Sequence, residues 1–284
     1  MPPERTRGDD SPGVMQRVHG AVCVRSGMRC GGSAEAPGAK AHGVEGVIRN
    51  RRDRIAKERL TVNVVLAVMA RAPEPGFCKT RLAAHIGPQR AAALYEHMLL
   101  DVLDAIEQSI SNPNRVLLAA PEGDGVARLR QLAGPSWQVQ AQQGKGLGQR
   151  LRHALVDLPG SATAAAVLGS DAPVLPWGVI DRSLERLARG DPATEAVMGP
   201  AVDGGYYLVG MAHPNPYILQ DVPWSTERVA EVTRLRCRQL GISLQELPPA
   251  SDVDTPSDLA RLRATLAHDS SLAPRTARLL ADWP

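Results

Sequence analysis

The sequence predicts an α/β protein whose mainly parallel sheet is covered by helices on both faces. Apolar runs of strand length alternate with stretches of helical spacing, and the runs Thr61–Ala70 and Ala164–Gly169 are apolar almost throughout. Strands that are apolar on both sides are typical of parallel sheets buried between helices. Ligands of such sheets bind beyond the carboxyl ends of the strands, so we expect the chemistry in the loops that follow them.

Each element follows from a local pattern. The first strand, Thr61–Ala70, is rich in β-branched residues and is followed by the turn residues Ala72–Gly76. The first long helix, Gln89–Gln108, has apolar residues at helical spacing. Further strands are predicted at 115–120, 137–140, 164–169, 196–198, 206–211 and 243–247. Further helices are predicted at 125–133, 148–158, 179–188, 226–240 and 256–267.

The first 60 residues differ in composition from the rest of the chain. They contain nine of the 26 glycines and none of the nine aromatic residues. Such a segment buries too little apolar surface to offset its loss of conformational entropy on folding. We therefore expect a disordered leader over 1–60, a single α/β domain over 61–268 and a helical tail over 269–284.

Charge and cysteine usage exclude several classes of protein. Residues 1–60 carry 12 Lys+Arg against 7 Asp+Glu, whereas residues 61–284 carry 21 against 23. The excess of basic residues therefore belongs to the leader, and the domain lacks the excess of positive charge that is typical of nucleic-acid-binding proteins. The four cysteines, at 23, 30, 78 and 237, lack the spacing of a disulfide scaffold or a zinc ribbon.

Several targeting and cofactor motifs are missing from the sequence. No apolar run is long enough to span a bilayer, and the leader lacks the apolar core of a secretory signal. We therefore expect a cytoplasmic protein without a membrane span. The first strand is not followed by GxGxxG, and GxxxxGK[ST] occurs nowhere, which argues against a Rossmann dinucleotide site and a P-loop.

Two basic loops are candidates for binding phosphate. Lys79 and Arg81 follow the first strand and could neutralise a polyphosphate, or they could lie in a solvated turn. Only Lys79 and Lys145 are lysines among residues 61–284, and both lie in glycine-containing loops, which favours phosphate binding. The loop Gln142–Arg150 could approach a nucleotide closely through its three glycines, or be an ordinary helix start.

Two aspartates are candidates for binding a divalent metal ion. Asp171 follows a buried apolar strand, where a carboxylate needs a partner, a proton or a metal, although it could also cap the next helix. Thr255 and Asp258 fit a capping box with Pro256 at the first helical position. This box leaves Asp252 and Asp254 unexplained, and Asp254 becomes the second metal carboxylate.

A third group of residues is a candidate for binding an acceptor. Asp203, Gly204 and Gly205 could form a plain hairpin turn, or present a carboxylate to a substrate. Trp224 could stack on the acceptor or merely pack against the protein. Both alternatives remain open from the sequence.

Together and in this order, the motifs resemble those of a known family. The segments Arg71–Leu82, Gly144–Arg150, Gly169–Pro173, Asp203–Tyr207 and Asp252–Asp258, with the intervening Pro-Trp-Ser-Thr at 223–226, resemble the glycosyltransferases of the arsenosugar-biosynthesis type. These belong to the GT-A, or nucleotide-diphospho-sugar transferase, superfamily. The chain is more distantly similar to 2-phospho-lactate and molybdenum-cofactor guanylyltransferases. The resemblance covers about residues 62–265.

The resemblance implies a nucleotide in the first half of the domain, an acceptor in the second, and Mg²⁺ or Mn²⁺ between Asp171 and Asp254. The implied catalytic residues are Lys79, Arg81 and Asp203. The implied nucleotide-binding residues are Ala72, Pro73, Lys79, Arg81, Gln143, Gly144, Gly148, Arg150 and Ser170. The implied acceptor-binding residues are Asp203, Gly204, Gly205, Tyr206, Trp224, Ser225 and Thr226.

Three functions are compatible with these motifs. The first is a metal-dependent glycosyltransferase that uses a nucleotide sugar and a small-molecule acceptor. The second is a nucleotidyltransferase that joins an NTP to a phosphorylated small molecule, since Asp171 is followed by Ala-Pro and not by the Asp-x-Asp of GT-A glycosyltransferases. The third is a protein that binds a nucleotide without turnover. The sequence ranks them in this order.

Overall fold

A computed structural model describes residues 63–283, except residues 112, 161, 192 and 214. The predicted leader, with Cys23 and Cys30, lies outside the described residues, as do Thr61 and Val62 of the predicted first strand. Cys78 and Cys237, which are described, are buried free thiols. No helix in the described part of the chain is both long and apolar enough to cross a bilayer.

The described strands form one seven-stranded sheet in the order β3-β2-β1-β4-β6-β5-β7. Strand β6 is antiparallel to β4 and β5, whereas the other four pairings are parallel. The strands are β1 Val64–Arg71, β2 Asn114–Ala120, β3 Gln138–Ala141, β4 Ala164–Gly169, β5 Ala196–Pro200, β6 Tyr206–Met211 and β7 Leu244–Glu246. This confirms the predicted mainly parallel sheet.

The described residues also form eight α-helices, of which the last two follow β7. They are α1 Thr80–Ile86, α2 Pro88–Ser109, α3 Asp124–Ala133, α4 Leu147–Arg152, α5 Trp177–Ala188, α6 Val229–Leu240, α7 Pro256–His268 and α8 Pro274–Ala281. Helix α4 continues as one π-helical turn over His153–Asp157.

Helices cover both faces of the sheet, as the sequence predicts. Alternate residues of β1 face opposite sides, so Leu66 packs with α2, α3 and α5, whereas Ala67 packs with α4 and α6. A third apolar cluster lies on the far side of α2 and includes Leu82 of α1, Leu262 of α7 and Leu280 of α8. This layering leaves the carboxyl ends of the parallel strands free at one edge.

Two helices show the main differences from the sequence prediction. Helix α1 begins inside the segment that we interpreted as a basic loop, Arg71–Leu82, and continues to Ile86. It has only seven residues, and its N-cap Lys79 makes no side-chain capping hydrogen bond, so the usual start signal is missing. Helix α6 begins at Val229 and not at 226, because Thr226 Oγ1 donates a hydrogen bond to the Pro223 carbonyl in the preceding turn.

The predicted C-terminal tail packs onto the domain. The amides of Arg275 and Thr276 both donate to the buried Asp101 carboxylate of α2, at 3.0 and 2.8 Å. The Arg275 guanidinium also pairs with Asp104 at 2.7 Å. Helix α8 is therefore a packing helix of this domain.

Candidate active site

The candidate site lies at the carboxyl ends of β1 and β4, which are neighbours in the sheet. Asp171 follows β4, and Lys79 lies in the segment that follows β1. The loop after β7 joins them, because the Val253 amide donates to the Asp171 carbonyl at 3.1 Å. Folding therefore brings residues from three distant segments to one place, as the parallel sheet predicts.

Lys79 lies between the two predicted metal aspartates. Its Nζ is 2.7 Å from Asp254 Oδ1 and 3.2 Å from Asp171 Oδ2. The lysine side chain is only 4% exposed, whereas the aspartates are 38% and 46% exposed. Asp171 and Asp254 thus point to the same place, and the ammonium ion bridges them.

The charge of Lys79 is secured by these two aspartates. Burial lowers the pKa of Lys79, but the Asp171 and Asp254 carboxylates outweigh it and hold the pKa above its usual value. The Lys79 backbone is left-handed, with φ 46° and ψ 45°. A lysine in this conformation is strained, and such strain concentrates at functional sites.

A buried hydrogen-bond chain fixes the base of the site. The Arg71 amide donates to the Tyr95 hydroxyl at 3.0 Å, and Ser170 Oγ donates to the Met69 carbonyl at 2.9 Å. Because the Ser170 proton is used there, the Tyr95 hydroxyl donates to Ser170 Oγ across 2.8 Å. Burial raises the pKa of Tyr95, so the phenol keeps its proton. The chain ties helix α2 to the ends of β1 and β4.

A first cavity of about 500 Å³ opens over this chain and is lined by cations. Arg71, Lys79, Arg81 and Arg150 line it, together with Asp171 and Asp254 and the buried Ser170. A cavity with four cations and two carboxylates attracts anions. It therefore has the charge that the predicted phosphate site needs.

Gln142 positions Arg150 at this cavity. Gln142 Nε2 donates to the carbonyls of Ala70 and Leu118, at 3.0 and 2.9 Å, and its Oε1 accepts from Arg150 Nη1 at 2.9 Å. Arg150 Nε also donates to the Gly144 carbonyl at 3.2 Å. The guanidinium is thereby held at the cavity wall before any ligand binds.

Several residues predicted to bind the nucleotide lie away from the first cavity. Ala72 and Pro73 are buried, and the Ala72 amide donates to the Ala120 carbonyl at 2.7 Å. Gln143 is exposed, and its neighbour Gln142 takes the place on the cavity wall. Gly144 lies in an adjoining hollow beside Lys145 and Gln149.

Gly148 is also away from the first cavity, and it contacts the protein itself. A Cβ at Gly148 would lie 2.2 Å from Nε1 of Trp224. The glycine therefore makes room for this indole ring. Among the predicted nucleotide residues, the structure brings Lys79, Arg81, Arg150 and Ser170 to one cavity.

A second cavity, of about 510 Å³, adjoins the first. Both cavities are lined by Arg81, Asp171 and Asp254, so they meet at the two aspartates. Six of the seven predicted acceptor-binding residues line the second cavity: Asp203, Gly205, Tyr206, Trp224, Ser225 and Thr226. The two predicted ligand sites are thus neighbours, with the aspartate pair between them.

Gly204, the seventh predicted acceptor residue, is not part of the cavity lining and instead packs against the backbone of Glu227. Its φ is +89°, and a Cβ there would lie 1.9 Å from the carbonyl oxygen of Glu227. Its own carbonyl accepts from the Ala230 amide at 2.9 Å, which joins the β5–β6 turn to the start of α6. Asp203 also serves the turn, since its Oδ1 accepts from the Gly205 amide at 2.9 Å.

The acceptor side of the site has an aromatic wall. The rings of Trp224 and Tyr206 meet edge to face, with centroids 6.4 Å apart. The Tyr206 hydroxyl is buried and has no hydrogen-bond partner among the described residues. Ser225, at the same turn, adopts a left-handed φ of 64°.

Asp252 is a site residue that the sequence reasoning left without a role. It lines the second cavity, and burial together with the nearby Asp203 and Asp254 carboxylates raises its pKa to about 6. The capping box explains Thr255 and Asp258 but neither Asp252 nor Asp254. That leftover pair of carboxylates, spaced two apart, was the signal that could have identified Asp252.

The aspartate pair fits a divalent cation that is shared with a ligand. Asp171 Oδ1 and Asp254 Oδ2 accept no hydrogen bond from any residue that the structure describes, and both side chains are partly exposed at the cavity junction. In the same part of the chain no three acidic, histidine or cysteine side chains converge on a metal-sized point. Two carboxylates completed by phosphate oxygens are a usual arrangement for Mg²⁺.

Comparison with known proteins gives one family match and several similar folds. The family described as "Uncharacterized protein conserved in bacteria (DUF2064)" matches residues 103–226. A search of curated proteins found no match. A protein from Desulfovibrio desulfuricans G20, provisionally assigned as a nucleotide-diphospho-sugar transferase, is 28% identical with a TM-score of 0.70. The alignment covers 78% of this chain and 95% of that one.

Two further solved structures are more distant. A cytidylyltransferase from Leptospira borgpetersenii is 16% identical, with a TM-score of 0.48 and coverage of 77% and 92% of the two chains. A CMP:2-keto-3-deoxy-manno-octonic acid synthetase in complex with CTP is 15% identical, with a TM-score of 0.45 and coverage of 73% and 99%. The Desulfovibrio likeness confirms the predicted nucleotide-diphospho-sugar transferase fold. None of these three proteins is described as an arsenosugar enzyme, so that part of the resemblance stays a prediction.

Proposed function

We propose that this chain is a metal-dependent glycosyltransferase that transfers a sugar from a nucleotide-sugar donor to a small-molecule acceptor. The observation that supports this most strongly is the junction of a cationic and an acidic cavity at Asp171 and Asp254. The assignment of the Desulfovibrio protein, similar over 95% of its length, points to the same class of transferase.

The donor diphosphate is proposed to bind in the first cavity. Arg81 and Arg150 lie on its wall with their charges available, and Lys79 has one N–H left after its contacts with the two aspartates. Asp171 and Asp254 would hold Mg²⁺ or Mn²⁺, which supplies positive charge to a diphosphate leaving group. The cations of the cavity stabilise the same developing charge.

The acceptor is proposed to bind in the second cavity, with Asp203 as the general base. One oxygen of the Asp203 carboxylate holds the Gly205 amide, and the other has no donor among the described residues. This free carboxylate oxygen takes the proton of the acceptor hydroxyl while the hydroxyl oxygen of the acceptor attacks the anomeric carbon of the donor sugar. The bond from the anomeric carbon to the phosphate oxygen breaks, and the nucleoside diphosphate leaves.

Nucleotidyl transfer is the second candidate. The observation that favours it is the segment after β4, where one aspartate is followed by Ala172 and Pro173 and not by a second aspartate. In this reaction an acceptor phosphate attacks the α-phosphate of an NTP, and pyrophosphate leaves. The same cations would serve, because both reactions build charge on a diphosphate.

The released product distinguishes the candidates. The purified protein is incubated with Mn²⁺ and either sugar nucleotides or NTPs, together with a pool of small metabolites as acceptors. Glycosyl transfer releases a nucleoside diphosphate, nucleotidyl transfer releases pyrophosphate, and a non-catalytic binder releases neither. Asp171→Asn is the matched control, and product that persists in this variant refutes the metal assignment.

A further inference from the structure

The two cavities of the site carry opposite charge. The first is lined by four cationic and two acidic side chains. The second is lined by five acidic side chains and a single cation: Asp171, Asp203, Glu227, Asp252 and Asp254 against Arg81. A phosphorylated molecule would enter the second cavity against this charge, whereas a cation would be attracted.

Three of these acids have no cation of their own. Asp203, Glu227 and Asp252 form no ion pair with any residue in the described part of the chain. Asp252 is also partly buried, where an unpaired carboxylate is costly. A ligand that carries positive charge would relieve the repulsion among these side chains.

The remaining wall of the cavity suits an organic cation. Trp224 presents an indole ring there, and aromatic rings attract ammonium groups through their faces. The Tyr206 ring also lines the cavity, and its hydroxyl is buried without a hydrogen-bond partner among the described residues. A second metal ion fits less well, because no three acidic side chains of the described residues converge on one point.

We infer that the acceptor is a hydroxylated molecule that carries a protonated amine and no phosphate. This inference rests on the proposed function, since it describes the acceptor of the same site. It also separates the two candidate reactions, because nucleotidyl transfer to a phosphorylated acceptor would place an anion beside three carboxylates that have no ion pair among the described residues, Asp203, Glu227 and Asp252. The amine lies against the Asp252 carboxylate, which leaves the free oxygen of Asp203 for the hydroxyl that receives the sugar.

Three polyols that differ in one group test the inference. Binding of glucamine, sorbitol and sorbitol 6-phosphate is measured at neutral pH by calorimetry or ligand-observed NMR, in the presence of Mg²⁺ and a nucleoside diphosphate. We expect glucamine to bind about tenfold more tightly than sorbitol, which is the effect of one charge-assisted hydrogen bond, and sorbitol 6-phosphate to bind most weakly.

Asparagine variants assign the preference to the cavity. Asp203→Asn and Asp252→Asn should each reduce the preference for glucamine, whereas Asp282→Asn, an exposed aspartate in the C-terminal segment, should not. Asparagine at 203 still accepts the Gly205 amide, so the turn survives the substitution. Thermal unfolding verifies that each variant is folded.

Four results would overturn the inference. They are tightest binding of sorbitol 6-phosphate, equal binding of all three polyols, no binding of any polyol at its solubility limit, or a second Mn²⁺ per chain that is lost in Asp203→Asn. Binding of the nucleoside diphosphate, measured in the same samples, distinguishes failure of the acceptor inference from failure of the proposed function. If the nucleotide binds with Mg²⁺ but glucamine is not preferred, only the acceptor inference fails; if no nucleotide binds, the proposed function fails.

Discussion

Lys79 is the residue on which most of the site depends. Its ammonium bridges Asp171 and Asp254, and it starts helix α1 in a left-handed conformation. A bridging cation of this kind holds the two carboxylates together in the absence of any ligand. Lys79 thus preorganises the aspartate pair as well as contributing charge to the first cavity.

Removal of this ammonium should destabilise the fold. We expect Lys79→Met to lower the free energy of unfolding by about 1 to 2 kcal/mol, a modest value because solvent screens the two partly exposed carboxylates. Lys145→Met is the matched control, since Lys145 is exposed and forms no ion pair with a described residue. Urea unfolding in EDTA measures both variants, and equal stability of the two would contradict the bridging role.

Gly204 should tolerate no side chain. Gly204→Ala places a Cβ against the Glu227 backbone at a left-handed φ, so we expect a loss of about 3 kcal/mol. Gly190→Ala is the control, because Gly190 has a similar φ of +67° but open space around it, and strain alone costs about 1 kcal/mol there. Denaturant melts of both variants give the comparison. Similar losses would mean that the contact with Glu227 is unimportant.

The predicted site residues that the structure brings to the cavities are mainly those that charge marked in the sequence. Lys79, Arg81 and Asp171 are charged groups beside strand ends, and the structure places them at the cavities. Gln143 and Gly148 were assigned from loop composition alone. Which of two adjacent glutamines faces a cavity depends on the local turn, and the close approach of Gly148 to Trp224 depends on a contact 76 residues away along the chain.

At the scale of elements, one ion pair joins α6 to the edge strand β7. Arg234 Nε and Nη2 donate to the two oxygens of Glu246, each at 2.8 Å. These hydrogen bonds from Arg234 hold the pKa of Glu246 below its usual value. The pair therefore stabilises the fold while Glu246 is ionised.

The pH dependence of stability should reveal this pair. The pKa of Glu246 is lower in the folded state than in the unfolded state. The ion pair therefore contributes to the free energy of unfolding above the usual glutamate pKa, and this contribution is lost as the pH falls through the folded pKa. We expect Glu246→Gln to cost less than about 1 kcal/mol at neutral pH, since the carboxylate is 41% exposed, and nothing at low pH. Chemical unfolding at pH values from acidic to neutral measures this cost, with Glu122→Gln, a substitution of an exposed acid, as the control. A deficit that is independent of pH would show that the ion pair is not its cause.

The elements themselves were largely readable from the sequence. The strands Ala164–Gly169 and Tyr206–Met211 have the predicted bounds, because uninterrupted apolar runs between turn residues leave little choice. Helix α7 starts at Pro256 as its capping box predicts. The antiparallel β5–β6 pair agrees with the hairpin turn that the sequence allows at Asp203–Gly205. The pairing of β6 with β4 could not be predicted, because it joins strands that are distant in the sequence.

At the scale of the whole molecule, helix α8 closes one side of the domain. Ala273 and Leu280 are buried in a cluster with residues of α2 and α7, and Asp101 accepts two amides at the start of α8. The sequence could not show this docking, because the tail is separated from α2 by more than 160 residues.

Deletion of residues 269–284 should therefore destabilise the whole domain. We expect a loss of about 3 kcal/mol or more, from the exposed apolar cluster and the unpaired Asp101 carboxylate. Arg275→Ala, which removes only the partly exposed pair with Asp104, should cost less than about 1 kcal/mol. Thermal and urea unfolding test both chains. A truncated domain as stable as the full chain would show that α8 is dispensable.

The central claim is that a divalent ion joins a nucleotide diphosphate to Asp171 and Asp254. Calorimetric titration with UDP, GDP, CDP and ADP, each with Mg²⁺ or with EDTA, tests it most directly. We expect Mg²⁺ to strengthen binding of the preferred diphosphate by about tenfold or more in the native protein. That gain should disappear in Asp171→Asn and Asp254→Asn. Diphosphate binding that is the same in Mg²⁺ and EDTA, or a gain that survives in both variants, would contradict the claim.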